Sequence, residues 1–385
     1  MAKLGDICTI QSGGTPSRSN RDYWDNGTIP WVKISDFSGK YLDHTSEKIT
    51  QAGLDGSSAK IFSKGTILYT IFATLGETCI LDIDATTNQA IAGLKLNDDS
   101  VLLDYLYYYL LSKKEYVNEI GRGVAQNNIN MKILREMEIA IPPKGKQSEI
   151  TDVLNKVYEL IALRKEQLAK LDQLVKSRFI ELFVENGAAS EWPRLSIADV
   201  SKDMRTGPFG SALHHDEFVG SGVFVLGIDN AVENKFSYNR MRYITEEKYQ
   251  QLKRYTVHPG DVIITIMGTV GRSAVIPADI PKAINTKHLA CITPNAEKIN
   301  PQFLSCAFQS HPDVRMQLQK QCKGAIMDGL NLTIIKGLSF YIPPINLQNQ
   351  FAEFYEQTDK SKLAIQQSLD KLELLKKSLM QEYYG

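Results

Sequence analysis

Cysteine is scarce in this sequence and forms no motif. Cys8, Cys79, Cys291, Cys306 and Cys322 are scattered over 385 positions, with no CxxC pair among them. That argues against a disulfide framework and a zinc ribbon, and a reducing, cytoplasmic setting is expected. No apolar run approaches the roughly 20 residues that span a bilayer. The opening Met1–Asp6 does not read as a signal peptide. Net charge is missing as well, since 44 basic side chains offset 44 acidic ones. Nucleic-acid binders that work alone are usually basic. Residues 1–143 hold 14 basic and 17 acidic side chains, and residues 186–344 hold 17 and 14. If the chain meets DNA, its phosphate-neutralising charge must be locally clustered or supplied by a partner.

Catalytic signatures are absent too. There is no GxGxxG for a dinucleotide and no GxxxxGK[ST] for nucleotide phosphates. A methyltransferase acting on an exocyclic amine needs a D/N-P-P-Y/F loop, whereas the Pro-Pro pairs here follow Ile141 and Ile342 and precede Lys144 and Ile345. Glu246-Glu247-Lys248 matches an ExK nuclease fragment, but a helix starting after Thr245 explains it better. His214-His215 lacks further metal ligands at usable spacing, so both are read as polar loop residues. His288-x-x-Cys291 is read as a satisfied buried pair.

What the sequence does contain is itself, twice. Ile141-Pro142-Pro143 recurs as Ile342-Pro343-Pro344 and Gln147 as Gln348, at an offset of 201. Asn130-Met131-Lys132-Ile133-Leu134 matches Asn331-Leu332-Thr333-Ile334-Ile335 at the same offset. Upstream the offset falls to 195, where Phe62–Leu68 parallels Val257–Ile263 and Thr74-Leu75-Gly76-Glu77 parallels Thr269-Val270-Gly271-Arg272. Matches that stay in order through changing offsets indicate a duplication with loop insertions.

After each Pro-Pro the pattern changes. Ile150, Leu154, Val157, Ile161, Leu168, Leu171, Val175 and Leu182 fall on a heptad seam, with Arg164 and Arg178 at two of its positions. A helix over 147–183 would be about 55 Å long at about 1.5 Å per residue. The second copy gives Phe351, Tyr355, Thr358, Lys362, Ile365, Leu369, Leu372 and Leu379. Neither stripe can be buried alone, so the two helices are expected to pack on each other, either as a rigid spacer or as an ordinary long hairpin. The expected fold class is α+β: two mixed α/β domains in tandem repeat, separated by two long α-helices packed as an antiparallel, pseudo-twofold coiled coil. The expected divisions are 1–143, 144–186, 187–344 and 345–385. Strands are expected near 66–72, 80–83, 223–228 and 262–267, and one helix per copy at 101–120 and 301–321.

Ser12-Gly13-Gly14-Thr15-Pro16-Ser17-Arg18-Ser19-Asn20, then Tyr23-Trp24 and Ile29–Asp36, resembles the opening of a type I restriction-modification target recognition domain. Asn88-Gln89-Ala90-Ile91 and Gln126-Asn127-Asn128-Ile129 resemble later motifs of that family. Gly207-Pro208-Phe209-Gly210-Ser211-Ala212-Leu213 resembles another common opening, and Leu374–Gly385 the end of a second conserved helix. The second copy has Asn285-Thr286-Lys287 where the first has Asn88-Gln89-Ala90, which in this family implies different half-sites. The resemblance implies a non-catalytic specificity subunit. It would read bipartite double-stranded DNA, with two methylation subunits and two restriction/translocation subunits as partners. AdoMet, ATP and Mg would belong to those partners, with no cofactor in this chain. The rival readings are a coiled-coil adaptor or anti-restriction decoy, and a standalone methyltransferase or nuclease.

Arg and Lys suit guanine edges, Asn and Gln adenine. The expected DNA-contacting residues of the first copy are Arg18, Asn20, Arg21, Lys33, Ser35, Asn88, Gln89, Arg122, Gln126 and Asn128. Those of the second are Arg205, Ser211, His214, His215, Asn230, Lys235, Arg240, Arg272, Lys287 and Lys323. Any one of them can instead be a solvated loop group. Gly13, Gly14, Gly207 and Gly210 would let backbone N–H groups approach phosphates. Tyr23, Trp24 and Trp31 are read as core.

Overall fold

The computed structural model describes residues 1–121, 128–187, 191–209, 212–322 and 330–385. The chain packs as two compact units, Met1–Lys165 with Gln367–Gly385, and Glu166–Gln366.

In the first unit, β1 (Ala2–Lys3) leads through α1 (Leu4–Ile7) into β2 (Cys8–Ser12). There follow β3 (Ile29–Val32), β4 (Tyr41–Leu42), β5 (Glu47–Ile49) and α2 (Gln51–Asp55), which Thr50 caps by accepting from Gly53 N at 3.1 Å. Next come β6 (Ile67–Thr70), β7 (Thr78–Leu81), β8 (Thr86–Thr87) and β9 (Ile91–Leu96). One sheet has the order β2-β9-β6-β7-β4, and a second has β5-β3-β8. Then α3 (Leu103–Ser112), α4 (Lys114–Gly121), α5 (Met131–Glu136) and β10 (Glu138–Ile139), paired with β1, lead to α6 (Lys144–Phe183). The core joins Ile67, Tyr69, Ile80 and Leu94 of the larger sheet to Tyr105, Leu106 and Leu110 of α3 and Ile150 and Leu154 of α6.

The second unit repeats this plan. β11 (Arg194–Ser196) pairs with β19 (Ser339–Tyr341) as β1 does with β10. β12 (Ser201–Thr206), β13 (Val223–Leu226), β14 (Tyr243–Ile244), β15 (Val262–Thr265), β16 (Ser273–Val275), β17 (Ala283–Asn285) and β18 (Leu289–Pro294) form sheets ordered β12-β18-β15-β16 and β14-β13-β17, with α7 (Glu246–Leu252) between β14 and β15. α8 (Pro301–Ser310), α9 (Pro312–Cys322) and α10 (Leu332–Gly337) precede α11 (Ile345–Tyr384). Thr245 accepts from Lys248 N at 3.2 Å at the start of α7, so Glu246-Glu247-Lys248 is a capped first turn.

The repeat extends to single hydrogen bonds. Thr70 Oγ1 donates to Thr74 O and accepts from Glu77 N, as Thr265 Oγ1 does with Thr269 O and Arg272 N. Gln147 is fully buried, bonding Leu102 N at 2.8 Å, Ser100 O at 2.8 Å and Pro142 O at 2.7 Å. Gln348 does the same with Asn300 N, Lys298 O and Pro343 O. The glutamine recurs because it anchors each long helix to the loop before the preceding helix pair.

Two helical expectations need correcting. The single helix expected at 101–120 is broken at Lys113, and that at 301–321 at His311, which is extended (φ −72°, ψ 122°) before Pro312. The short helices α5 and α10 lie outside the expected set. Each is capped by an asparagine, Asn130 to Ile133 N and Asn331 to Ile334 N, both at 2.9 Å.

The long helices start three residues before the expected positions. Ile150, Leu154, Val157 and Ile161 of the expected seam are buried, but Leu168, Leu171, Val175 and Leu182 are only half-buried, and Phe179 and Phe183, outside that seam, are buried instead. In the first unit, Lys165 pairs with Glu373 at 3.1 Å and Lys376 lies 5.6 Å from the Tyr158 ring. In the second, Asp172 pairs with Lys362, and the rings of Phe179 and Phe183 each meet Phe351 edge-on at 5.4 Å. Rising numbers on α6 meet falling numbers on α11, so the pair is antiparallel. Each exposed i,i+4 pair, such as Glu166–Lys170, adds only about 0.3–0.5 kcal/mol. A buried Leu, Ile or Phe contributes about 1.5–3 kcal/mol, so the seam dominates.

Candidate nucleic-acid interface

Strand directions gather the polar loops of each unit on one edge. In the first, β2 and β6 both run antiparallel to β9, so Ser12 lies beside Ala92 and Thr70 beside Ile91. β3 runs parallel to β8, Val32 beside Thr87, and Asn88–Ala90 then enter β9. The chain leaving Ser12, Val32, Thr70 and Thr87 therefore emerges at one rim. Gly14 N to Thr87 O at 2.9 Å, Asn88 N to Val32 O at 3.3 Å and Ile71 N to Ala90 O at 2.8 Å stitch it. Phe72 bridges Asn128.

On this rim Arg18 and Lys33 converge on one carboxylate. Glu47 accepts from Arg18 Nη1 at 2.5 Å and from Lys33 Nζ at 2.6 Å. The Arg18 guanidinium lies 3.6 Å above the Trp24 ring and 4.7 Å from that of Trp31, and the two indoles meet edge-on at 5.0 Å. Burial alone would raise the Glu47 carboxyl. Hydrogen bonds and charge from Lys33 and Arg18 outweigh it and hold the group below its ordinary range. Gln89 receives a hydrogen bond from Thr15, Asn88 Oδ1 accepts from Ala90 N, and Asn20 Oδ1 accepts from Asp22 N. Arg21 and Ser35 are exposed. Trp31 is buried and Trp24 half-buried, each indole donating to the loop, Trp24 to Ser17 O and Trp31 to Gly14 O.

The second unit builds the same rim from Thr206, Leu226, Thr265 and Asn285. Thr286 N bonds Leu226 O at 3.1 Å and Ile266 N bonds His288 O at 3.0 Å. Here Arg242 Nη2 is 2.5 Å from Asp229 Oδ1. Lys287 is exposed, and His288 contacts Met267 Sδ at 3.3 Å. Burial, with Lys287 and Arg242 nearby, lowers the His288 pKa below its usual 6.5. His288 and Cys291 do not pair, because Cys291 Sγ turns inward to Asp261 at 3.2 Å.

Several sequence expectations change. Arg205 is committed inside the fold, bonding Asp261 at 2.6 Å, Asp203 at 2.8 Å and Thr256 O, with little surface left to read DNA. Asn230 is wholly buried and holds the turn by accepting from Gly227 N at 2.7 Å and donating to Ser237 O. Lys235 pairs with Asp359 of α11 at 2.7 Å. His214, His215, Arg240 and Arg272 are exposed, and the His215 ring meets Phe218. Among the described residues no cluster of three or more His, Cys, Asp or Glu could hold a metal ion. Arg122, Gln126, Ser211 and Lys323 lie outside the described residues, as does Gly210. The N–H groups of Gly13 and Gly14 are used internally, by Ile91 O and Thr87 O. Gly13 and Gly207 are required because a Cβ would fall 2.0 Å from Thr87 Oγ1 or 2.1 Å from the Thr286 carbonyl carbon. Glu47, Asp229 and Arg242 went unnoticed in the sequence. Aligning the strands of the two copies, rather than their motifs, would have exposed them.

The type I restriction modification DNA specificity domain matches residues 1–173 and 217–374. Over 188 residues the chain is 32% identical to the type I restriction enzyme MjaIX specificity subunit of Methanocaldococcus jannaschii, covering 48% of this chain and 43% of that one. Over 182 residues it is 25% identical to the EcoR124I/EcoR124II specificity subunit of Escherichia coli, covering 46% and 45%. These alignments span less than half the length of either relative. The S subunit structure from M. genitalium has the same fold, with a TM-score of 0.60 at 17% identity over 100% of this chain and 95% of that one. With its family domain matched twice, once in each copy of the repeat, the chain belongs to the type I restriction modification DNA specificity family.

Proposed function

We propose that this protein is the non-catalytic DNA-reading subunit of a type I restriction-modification enzyme. Each unit reads one half of a bipartite duplex target. The helix pair α6–α11 sets the spacing between halves and docks the methylation subunits. Two such subunits, and two restriction/translocation subunits for cleavage, complete the assembly, with AdoMet, ATP and Mg in those partners. The cytoplasm, where DNA and partners are found, is its place of action.

The observation that carries this reading is the strand-end rim built twice on the same backbone plan with different side chains. One scaffold bearing two side-chain sets suits two unlike half-sites. The balanced net charge fits a reader whose partners supply much of the phosphate contact.

The test is to map methylated bases in a host genome carrying this gene with its methylation partner. One motif of two fixed halves around a spacer of free sequence is expected. A continuous motif, or no sequence-specific methylation, would refute the reading. Equal affinity of the assembled complex for target and random duplexes would favour the adaptor instead.

A further inference from the structure

Strand pairing aligns the two rims residue by residue. Trp31 of β3 faces Glu47 of β5. In the second copy Val223 faces Ile244, Phe224 faces Tyr243, and Val225 N bonds Arg242 O at 2.8 Å. Glu47 and Arg242 therefore occupy the same station. The loop beside it also aligns, Lys33-Ile34-Ser35-Asp36 with Gly227-Ile228-Asp229-Asn230. Both are 3-10 turns closed by the fourth residue, Asp36 accepting from Lys33 N at 2.9 Å and Asn230 from Gly227 N at 2.7 Å.

At this station the polarity is inverted. The first copy places the carboxylate on the strand (Glu47) and the cations on loops (Arg18, Lys33). The second places the guanidinium on the strand side (Arg242) and the carboxylate on the loop (Asp229). What recurs is a carboxylate-fixed guanidinium at the rim, carried by different chain positions. The surroundings are fitted to it. Arg18 lies over Trp24. In the second copy glycine, Gly227, stands where Lys33 would, and a Cβ there would lie 2.5 Å from Arg242 Nη1, so any side chain would push the guanidinium aside. Asp229 Oδ2 is buried without a hydrogen-bond partner, so that carboxylate is held for Arg242 rather than for a wider polar network. Phosphate contacts tolerate a flexible cation, whereas a bidentate contact to guanine O6 and N7 favours the pre-organised guanidinium fork over an ammonium. The carboxylate engages one nitrogen of each guanidinium, Nη1 of Arg18 and Nη2 of Arg242, leaving further N–H donors of its five.

Resting on the function proposed above, we propose that this station reads a guanine in each half-site, through Arg18 held by Glu47 in the first unit and Arg242 held by Asp229 in the second. The experiment uses the full chain assembled with its methylation partner. Duplexes carrying the mapped target have each guanine replaced in turn by 7-deazaguanine, which lacks the N7 acceptor. Wild-type protein should lose about tenfold in affinity at one guanine per half-site. Arg18→Ala should abolish that sensitivity in one half only, and Arg242→Ala in the other. Where an alanine variant assembles poorly, Arg242→Lys keeps the charge but not the fork and should show the same insensitivity. Variants that retain full sensitivity overturn the proposal. So does uniform weakening across all sequences with a shallower salt dependence, the mark of a phosphate contact. A wild-type complex that methylates no bipartite target would instead defeat the function itself.

Discussion

At the scale of single residues, burial decides what a polar side chain does. His311 is buried against the Phe340 ring at 5.0 Å, and its Nδ1 accepts from Asp313 N at 3.2 Å. A proton on Nδ1 would break that bond. Burial, together with the charge of Arg194, lowers its pKa below the ordinary 6.5 despite the opposing pull of Asp313. The unfolded chain therefore binds a proton first as pH falls. The stability His311 contributes is complete above about pH 6.5 and is lost as pH falls through that value toward the folded pKa. The thermal midpoint of wild type should drop more between pH 7.5 and 5.5 than that of His311→Asn, which keeps an acceptor but cannot titrate; equal drops would clear His311 of this role. Gln147→Leu should cost about 1–3 kcal/mol for each buried partner left bare among Leu102 N, Ser100 O and Pro142 O. Urea denaturation measures it, and Gln348→Leu should behave alike. These roles separate the legible residues from the rest. The loop position of Arg18 and Lys33 was legible because both flank turn signals in a polar loop, and the structure places both on the rim. Arg205 and Asn230 were misjudged because residue type does not reveal depth: the acid that claims Arg205 is Asp261, 56 positions away.

At the scale of elements, periodic signals were read well and local breaks were not. The heptad seam located both long helices to within three residues at their starts, since each stripe had to be buried. The break at Lys113 has no proline to announce it, and Pro312 was itself compatible with a first-turn position. The rim escaped detection because it is assembled by strand order. If the helix pair is the proposed ruler, inserting four residues near Leu168 should separate the reading units by about 6 Å, at about 1.5 Å per residue. DNA rises about 3.4 Å per base pair. The methylated motif of an active variant should keep both halves and gain one or two spacer base pairs. Four residues do not complete a heptad, so some stability is lost. An active variant with an unchanged spacer would show that the distance is set elsewhere.

At the scale of the whole molecule, duplication was the most legible property, because in-order matches survive drift that erases individual motifs. Its register was partly misjudged. Asn285 pairs with Leu226 as Thr87 pairs with Val32, so Asn285 corresponds to Thr87 rather than to Asn88. Exchanging residues 1–143 for those of a related subunit should alter one half of the methylated motif only; simultaneous change in both halves would contradict modular reading. The packing also fixes an order of assembly during synthesis. The unit that begins the chain is not finished by its own N-terminal stretch. Tyr384 lies in its core, donating to Tyr105 O at 3.2 Å, and Lys113 donates to Tyr384 O at 2.6 Å. The other unit is a single uninterrupted segment, Glu166–Gln366. A ribosome adding about 5–20 residues per second therefore delivers everything the later unit needs while the earlier one still waits, its tyrosine-lined face open. The half made first is therefore the half completed last.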